Sequence, residues 1–196
     1  MTVIQLEHTY LKSMKRKLRD QCSAGSVQLT EAIARGCGYR TNAALLADIN
    51  SGAEGRYVAF DDAAFRQRLR DFDCTVPDEI ELPELDRSVG FVERLFEQAD
   101  VEIVEMHPIR ARFRLAGIDA MVQIDLEDIG NGYTRFHHSH AIHTPTQIGP
   151  YRPSRDFDDD PAYAMHRAVT SIVDYYREAV RKGHTPERKW LVDSRH

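Results

Sequence analysis

From Arg110 to Glu127 apolar and polar residues alternate strictly, and this pattern constrains the fold more than any other stretch of the chain. Ala111, Phe113 and Leu115 point one way, while Arg110, Arg112 and Arg114 point the other. After a turn around Gly117, Ala120, Val122, Ile124 and Leu126 share a face, and Met121, Gln123, Asp125 and Glu127 share the opposite one. Side chains of a strand leave alternate faces, so this is the pattern of two half-buried strands. A tight turn at Ala116-Gly117 pairs Phe113 with Ala120 and Arg114 with Asp119. A wider turn pairs Phe113 with Val122 and Arg110 with Asp125. The registers differ by an even step, so both keep the same side chains inward. In either, a basic row lies beside an acidic row, where each opposite-charge pair contributes roughly 0.2–1 kcal/mol. The other reading of the three arginines is a row that grips phosphate or carboxylate.

Gly130-Asn131-Gly132 signals a turn. A further strand is expected over Tyr133 to Ile142, with Phe136, His138, His140 and Ile142 on one face and Tyr133, Arg135, His137 and His143 on the other. Val101 to Ile109 reads as one more strand, in which Pro108 forces an edge position or a bend. Histidines two apart on a strand present both imidazoles to one side, so His138 and His140, with Asp158, are the candidate ligands of a divalent metal. Asp159, Asp160 and His107 are further candidates. The competing reading makes His138 and His140 core histidines with satisfied hydrogen bonds.

Helices flank the strands. Ser88 to Ala99 is amphipathic, with Phe91, Val92, Leu95 and Phe96 apolar. Asp160-Pro161 is a helix start, with Asp at the N-cap and Pro in the first turn, and Asp158 and Asp159 suit the positive end of its dipole. That helix runs to Lys182 with Met165, Val169, Ile172, Val173, Tyr176 and Val180 as its buried stripe, and Gly183 and Pro186 end it. The tail Trp190-Leu191-Val192 is expected to pack back on the sheet. Thr144 to Asp160 is a long proline-containing loop, in which Tyr151, Arg152 and Arg155 form a candidate site for a partner or an anion.

The front of the chain has a different character. Leu6, Tyr10, Leu11, Met14 and Leu18 recur at helical spacing, with Lys12, Lys15, Arg16 and Arg19 as a basic stripe on another side. Ser26 is the expected N-cap of a second helix with Leu29, Ile33 and Cys37 inward, and Thr41 that of a third with Leu45, Leu46 and Ile49 inward. Residues 1–40 carry seven Lys or Arg against three acids, whereas residues 53–100 are strongly acidic. A basic front can touch nucleic acid, or attract the acidic middle within one molecule. Asp61 caps a helix containing Phe65, Leu69 and Phe72, and the acidic, proline-containing stretch from Cys74 to Pro83 reads as a linker.

Ile33-Ala34-Arg35-Gly36-Cys37-Gly38-Tyr39 resembles the first helix and turn of a helix-turn-helix, in which the alanine permits close helix approach and the glycine takes a positive φ. The wider stretch Leu11 to Ile49 resembles the small helical module of glyoxalase-superfamily-related and plasmid-borne uncharacterised proteins. It shares a basic first helix and an alanine-rich helix ending in Gly-Tyr-Arg, followed by Ala-Ala-Leu; here these are Gly38-Tyr39-Arg40 and Ala43-Ala44-Leu45. The resemblance implies a mobile-element setting. It carries over no glyoxalase metal ligands, because no matching motif follows. Beyond Arg40 the third helix has no Lys or Arg, so its alanines and leucines suit packing better than base reading.

The chain has 196 residues and a net charge of −5, enough for a real core. The three cysteines form no CxxC, and free thiols in a reducing cytoplasm are expected. No signal-peptide core or membrane span is expected, so the reading is cytoplasmic. P-loop, dinucleotide and nucleophile-elbow motifs are missing. The expected fold is α+β: a basic three-helix module over 1–52, a connecting helix and acidic linker over 53–83, and an α-β-β-β-α two-layer domain with an antiparallel sheet over 84–196. The expected function is that of a non-catalytic accessory or regulatory protein of a mobile genetic element (plasmid, integrative element or phage). It acts by binding nucleic acid, through Lys12, Lys15, Arg16, Arg19 and Arg40, or a host protein. The alternatives are a metal-dependent hydrolase using the His/Asp cluster, and a homo-oligomeric interaction domain.

Overall fold

Chemistry in the first five residues closes the first unit. Val3 and Ile4 are both buried, so Thr2–Gln5 forms a strand, β1, with no alternation to announce it. Its partner is β2, Tyr57–Phe60, paired antiparallel from Thr2↔Phe60 to Gln5↔Tyr57. The computed structural model describes residues 2–83 and 90–194, which fall into two compact units, Met1–Arg87 and Ser88–His196. In the first unit, α1 (His8–Arg19), α2 (Ser26–Gly36), α3 (Asn42–Asp48) and α4 (Asp62–Arg70) surround the strand pair. A π-helical turn, Ile49–Ala53, follows α3. α4 is the connecting helix expected after Asp61, and β1 is an addition to the elements expected at the front.

The expected helical lines converge in one core containing Leu6, Met14, Leu18, Leu29, Ile33, Leu45 and Ile49. Phe60, Phe65 and Leu69 complete it, so residues 53–83 pack into this unit instead of standing apart as a connection. The acidic stretch lies along α1: Lys17 Nζ donates to Leu82 O at 3.1 Å and pairs with Glu81, and the Tyr10 hydroxyl donates to Pro83 O at 2.9 Å. Thr41 and Asp61 cap their helices as expected, accepting from the Ala44 and Ala64 amides. Ser26 does not cap. It is the first residue of α2, with Gly25 at the cap and the Gln28 side chain accepting from the Gly25 amide at 2.7 Å.

The second unit is built on the alternation. Its main sheet has the order β3-β4-β5-β6-β8, all antiparallel: β3 Val101–His107, β4 Arg110–Leu115, β5 Val122–Asp128, β6 Thr134–His138 and β8 Phe157–Asp158. Of the two registers, the wider is adopted, with Phe113↔Val122 and Arg110↔Asp125. Pro108 sits in the hairpin turn beside β3, which is an edge strand. Tyr133 to Ile142 is not one strand. It breaks at Ser139 into β6 and β7 (His140–Ile142), and β7 pairs instead with β9 (Leu191–Asp193). Trp190 and Leu191 are buried there, so the tail does pack back.

Gly90–Phe96 forms α5, burying Val92 and Leu95; the expected start at Ser88 lies outside the described residues. The long helix α6, Pro161–Arg181, is capped by Asp160, whose carboxylate accepts from the Ala162 amide at 2.8 Å. It packs on the inner face of the sheet, where Ala111, Phe113, Leu115, Val122, Ile124 and Phe136 are buried. The expected stripe is buried except at its end: Val180 is 40% exposed and Ala179 takes the inward position. Among the described residues no helix is long and apolar enough to cross a membrane.

The outer face of the sheet carries the charged rows. Arg110 meets Asp125 at 2.6 Å, Arg112 meets Glu105 at 3.5 Å and Arg114 meets Glu102 at 3.2 Å. Each arginine of β4 is thus paired with a carboxylate of a neighbouring strand, which accounts for the row without a ligand.

Candidate nucleic-acid interface and groove

The α1 stripe follows from helical geometry. Met14 and Leu18 are buried, which turns Lys12, Arg16 and Arg19 to solvent, with Lys15 half-buried. None of these four has an ion-pair partner among the described residues. The fifth cation of the helix, Lys17, is the one taken by Glu81. Elsewhere Arg56, Arg66, Arg110, Arg135, Arg167 and Arg177 meet carboxylates, while Arg35, Arg70, Arg94 and Arg181 have no ion pair among the described residues, so what sets α1 apart is four such cations on one helix. Cations near a helix C-terminus gain roughly 0.3–1 kcal/mol from the dipole, which favours Arg16 and Arg19 locally without neutralising them.

The turn after α2 gives Tyr39 and Arg40 different tasks. Gly38 ends the turn with φ +87°, a conformation open to glycine. The Tyr39 hydroxyl donates to the Asp48 carboxylate, and Arg56 Nη2 donates to both, at 2.6 Å to Tyr39 and 2.7 Å to Asp48. Burial and the Asp48 carboxylate push the Tyr39 phenol up to about 12, so it stays a neutral donor that ties α3 to the entry of β2. Arg40 is exposed and has no ion pair among the described residues. The exposed positions of α3 are Thr41's neighbours Ala43, Ala44 and Ala47, which offer a base edge no hydrogen bond.

In the second unit, two adjoining cavities of about 440 Å³ and about 260 Å³ form a groove over α6, sharing Phe136, Tyr151, Pro153 and Ser171 in their walls. The smaller brings together several expected site residues: His138, His140, Tyr151 and Arg152 all line it. Arg155 and Asp158 line neither. Arg155 donates to Phe157 O at 3.0 Å with its guanidinium over the Phe157 ring. Asp158 is 5% exposed, on β8, with Arg167 Nη1 at 2.8 Å.

Hydrogen bonding fixes the tautomer of His138. His138 Nε2 is 2.9 Å from Ala168 O and 3.0 Å from Ser171 Oγ, and Ser171 Oγ itself donates to Ala168 O at 2.7 Å. A carbonyl only accepts, so Nε2 carries the proton. A protonated Nε2 cannot take the Ser171 proton, so the pair is a tie between β6 and α6, not a nucleophile with its base. Ser139 Oγ accepts from the Gln123 amide at 2.8 Å and shares a hydrogen bond of 2.9 Å with His140 Nδ1. The Ser139 side chain thereby fills the ladder position where the strand breaks. Among the described residues no three His, Cys, Asp or Glu side chains are grouped to hold a metal.

Burial lowers the His138 pKa below its ordinary value; the Ala168 carbonyl opposes this and the His137 charge adds to it. As pH falls below about 6.5, the unfolded chain binds a proton that folded His138 refuses, so stability declines. His166, lowered by burial and Arg94, contributes in the same direction. His138→Gln keeps a donor for Ala168 O and removes one of the two groups. Denaturant titration at pH 7.5 and 5.5 is expected to give a smaller loss of stability in the variant; an equal loss would mean His138 is not the titrating group.

Sequence reasoning missed the groove's other wall. Thr170, Ser171, Asp174, Tyr175 and Glu178 lie on α6, and their spacing of three and four residues marks one helix face; only the opposite, apolar stripe draws the eye. Comparison with protein-family models, curated proteins and solved structures finds no match for this chain.

Proposed function

We propose that this protein binds nucleic acid through its phosphate backbone, as a non-catalytic accessory or regulatory protein of a mobile genetic element. The observation that carries the reading is the set of α1 cations, Lys12, Lys15, Arg16 and Arg19, exposed or half-buried and without carboxylate partners among the described residues. The arginine row of β4, by contrast, is paired with carboxylates throughout. A chain of net charge −5 that keeps unpaired cations on one helix has a local field suited to a polyanion. Arg40 extends the set. The alanine-rich outer side of α3 supports phosphate contact without base reading. The resemblance of residues 11–49 to modules of plasmid-borne proteins supplies the mobile-element setting.

Fluorescence anisotropy with labelled single- and double-stranded oligonucleotides tests this. Saturable binding with little preference among sequences is expected. Replacing Lys12, Lys15, Arg16 and Arg19 by Glu is expected to weaken it at least ~100-fold at low salt. Undiminished binding by the reversed helix would move the interface elsewhere.

A further inference from the structure

The larger cavity of the groove has walls and a charge that no part of the nucleic-acid reading uses. Its floor and sides are Phe136, Tyr151, Pro153 and Tyr175, with the two tyrosine rings 4.6 Å apart between centroids and tilted by 41°. Its charged residues are Arg167, Asp174 and Glu178. Arg167 is committed: Nη1 meets Asp158 at 2.8 Å and Nη2 donates to Arg155 O at 3.3 Å. Glu178 is held by Lys182 at 2.6 Å. Asp174 is exposed, and among the described residues it has neither a hydrogen bond nor an ion pair. Burial first, then the neighbouring Tyr151 and Glu178, raise the Tyr175 pKa, so its phenol stays neutral. The one wall charge with neither a hydrogen bond nor an ion pair is therefore a carboxylate, within the field of Arg177 and His166 and beside aromatic rings whose faces are electron-rich.

We propose that this groove binds a small organic cation, an ammonium or guanidinium group carried on a short aliphatic stem. The carboxylate of Asp174 receives the N–H donors, and the rings of Tyr151 and Tyr175 take the cationic head and its stem, in a volume of about 440 Å³. An anion is disfavoured there, because the neighbouring guanidinium of Arg167 is already neutralised by Asp158. Arg152 lines only the smaller cavity. The same head group reaches such a site either as a free amine or as a Lys or Arg side chain of a peptide.

Titration calorimetry and ligand-observed NMR on the full chain, with agmatine and with a blocked Gly-Arg-Gly peptide, separate the two sources; butyramide is the neutral control. Saturable binding of at least one cation and none of butyramide is expected. Asp174→Asn is expected to weaken the cation roughly tenfold or more, the loss of a charge-assisted hydrogen bond, while Asp174→Glu retains most of it. Asp174 is exposed, so both variants should melt as the parent does. Tighter binding of the peptide assigns the groove to a partner's side chain, and tighter binding of agmatine assigns it to a free amine. Binding of neither cation, equal binding of butyramide, or undiminished binding by Asp174→Asn overturns the proposal.

Discussion

Gly36→Ala is expected to destabilise the first unit, and Gly36→Val to prevent its stable folding at physiological temperature. Gly36 ends α2 against the ring of Phe60. A Cβ there stands 2.3 Å from Phe60 Cε2 and 2.6 Å from Cζ. The ring cannot swing aside, because Phe60 is 5% exposed and its centroid lies 5.5 Å from that of the fully buried Phe65. The backbone is pinned as well, by the Asp61 amide donating to Gly36 O at 2.8 Å. Alanine gains roughly 1 kcal/mol of helix propensity over glycine, while overpacking a core costs about 1–3 kcal/mol and sometimes more. Sterics win, and the two extra methyl groups of valine meet the same wall. For a unit of this size each 1 kcal/mol shifts the melting temperature by about 4–8 °C, so Gly36→Ala should lower it by several degrees and Gly36→Val by ~15 °C or more. Gly38→Ala is the control: its Cβ meets nothing within 4 Å, but φ is +87°, a conformational penalty of about 1 kcal/mol. Thermal melting followed by circular dichroism reads all three. An unchanged melting temperature for Gly36→Val would mean that Phe60 does not pack on α2.

Arg167→Ala is expected to cost the second unit about 2–4 kcal/mol at neutral pH, and progressively less as pH falls toward 4. Asp158 is buried, with its side chain 8% exposed and that of Arg167 30% exposed. Removing the guanidinium strands a carboxylate in low dielectric, which is far more costly than losing a surface pair. The Asp159 amide, 3.0 Å from Asp158 Oδ1, compensates in part. In the parent protein, burial pushes the Asp158 carboxyl up, but Arg167 and Asp159 outweigh it and hold it below the ordinary carboxylate range. Its contribution is therefore present above about pH 4 and is lost as pH falls through the depressed folded pKa. Without Arg167 the burial of Asp158 is opposed only by Asp159 and Arg155, so the folded pKa rises and protonation relieves the stranded group at a higher pH than in the parent. Denaturant titrations of both proteins between pH 7 and 4 should converge on the acid side. A deficit independent of pH would assign the loss to packing of the Arg167 stem.

What could be read from the sequence was whatever repeats locally. The β4–β5 hairpin announces itself because one face is buried and one wet, and the acid-capped start of α6 needs only Asp160 and Pro161. The choice between registers is not local. Ala116, which the tight turn would use, donates its amide to Asp100 O, and Ile118 is buried in the wider loop. The break at Ser139 was hidden for a similar reason: the histidine-rich run keeps a strand-like pattern through it, while the Ser139 hydroxyl bonds a backbone amide sixteen positions away. β1 shows no alternation because Val3 and Ile4, on opposite faces of the strand, are both buried, and its partner is β2, far along the chain. Of the candidate sites, the α1 stripe was legible because helical spacing exposes it. The groove was not, since it joins Tyr151 and Arg152 to α6 residues whose polar face looks like any solvated helix surface. The metal reading placed His138, His140 and Asp158 together; the fold puts His138 against Ala168 O and Asp158 against Arg167.

The most direct test of the central claim is the salt dependence of oligonucleotide binding by the intact chain. If α1 engages phosphates through Lys12, Lys15, Arg16 and Arg19, the logarithm of the binding constant should fall linearly with the logarithm of salt concentration. The expected slope is about −3 to −4 on double-stranded DNA, and it should lose roughly one unit for each of these cations changed to alanine. A slope near zero, or one that survives the loss of all four cations, would contradict the account.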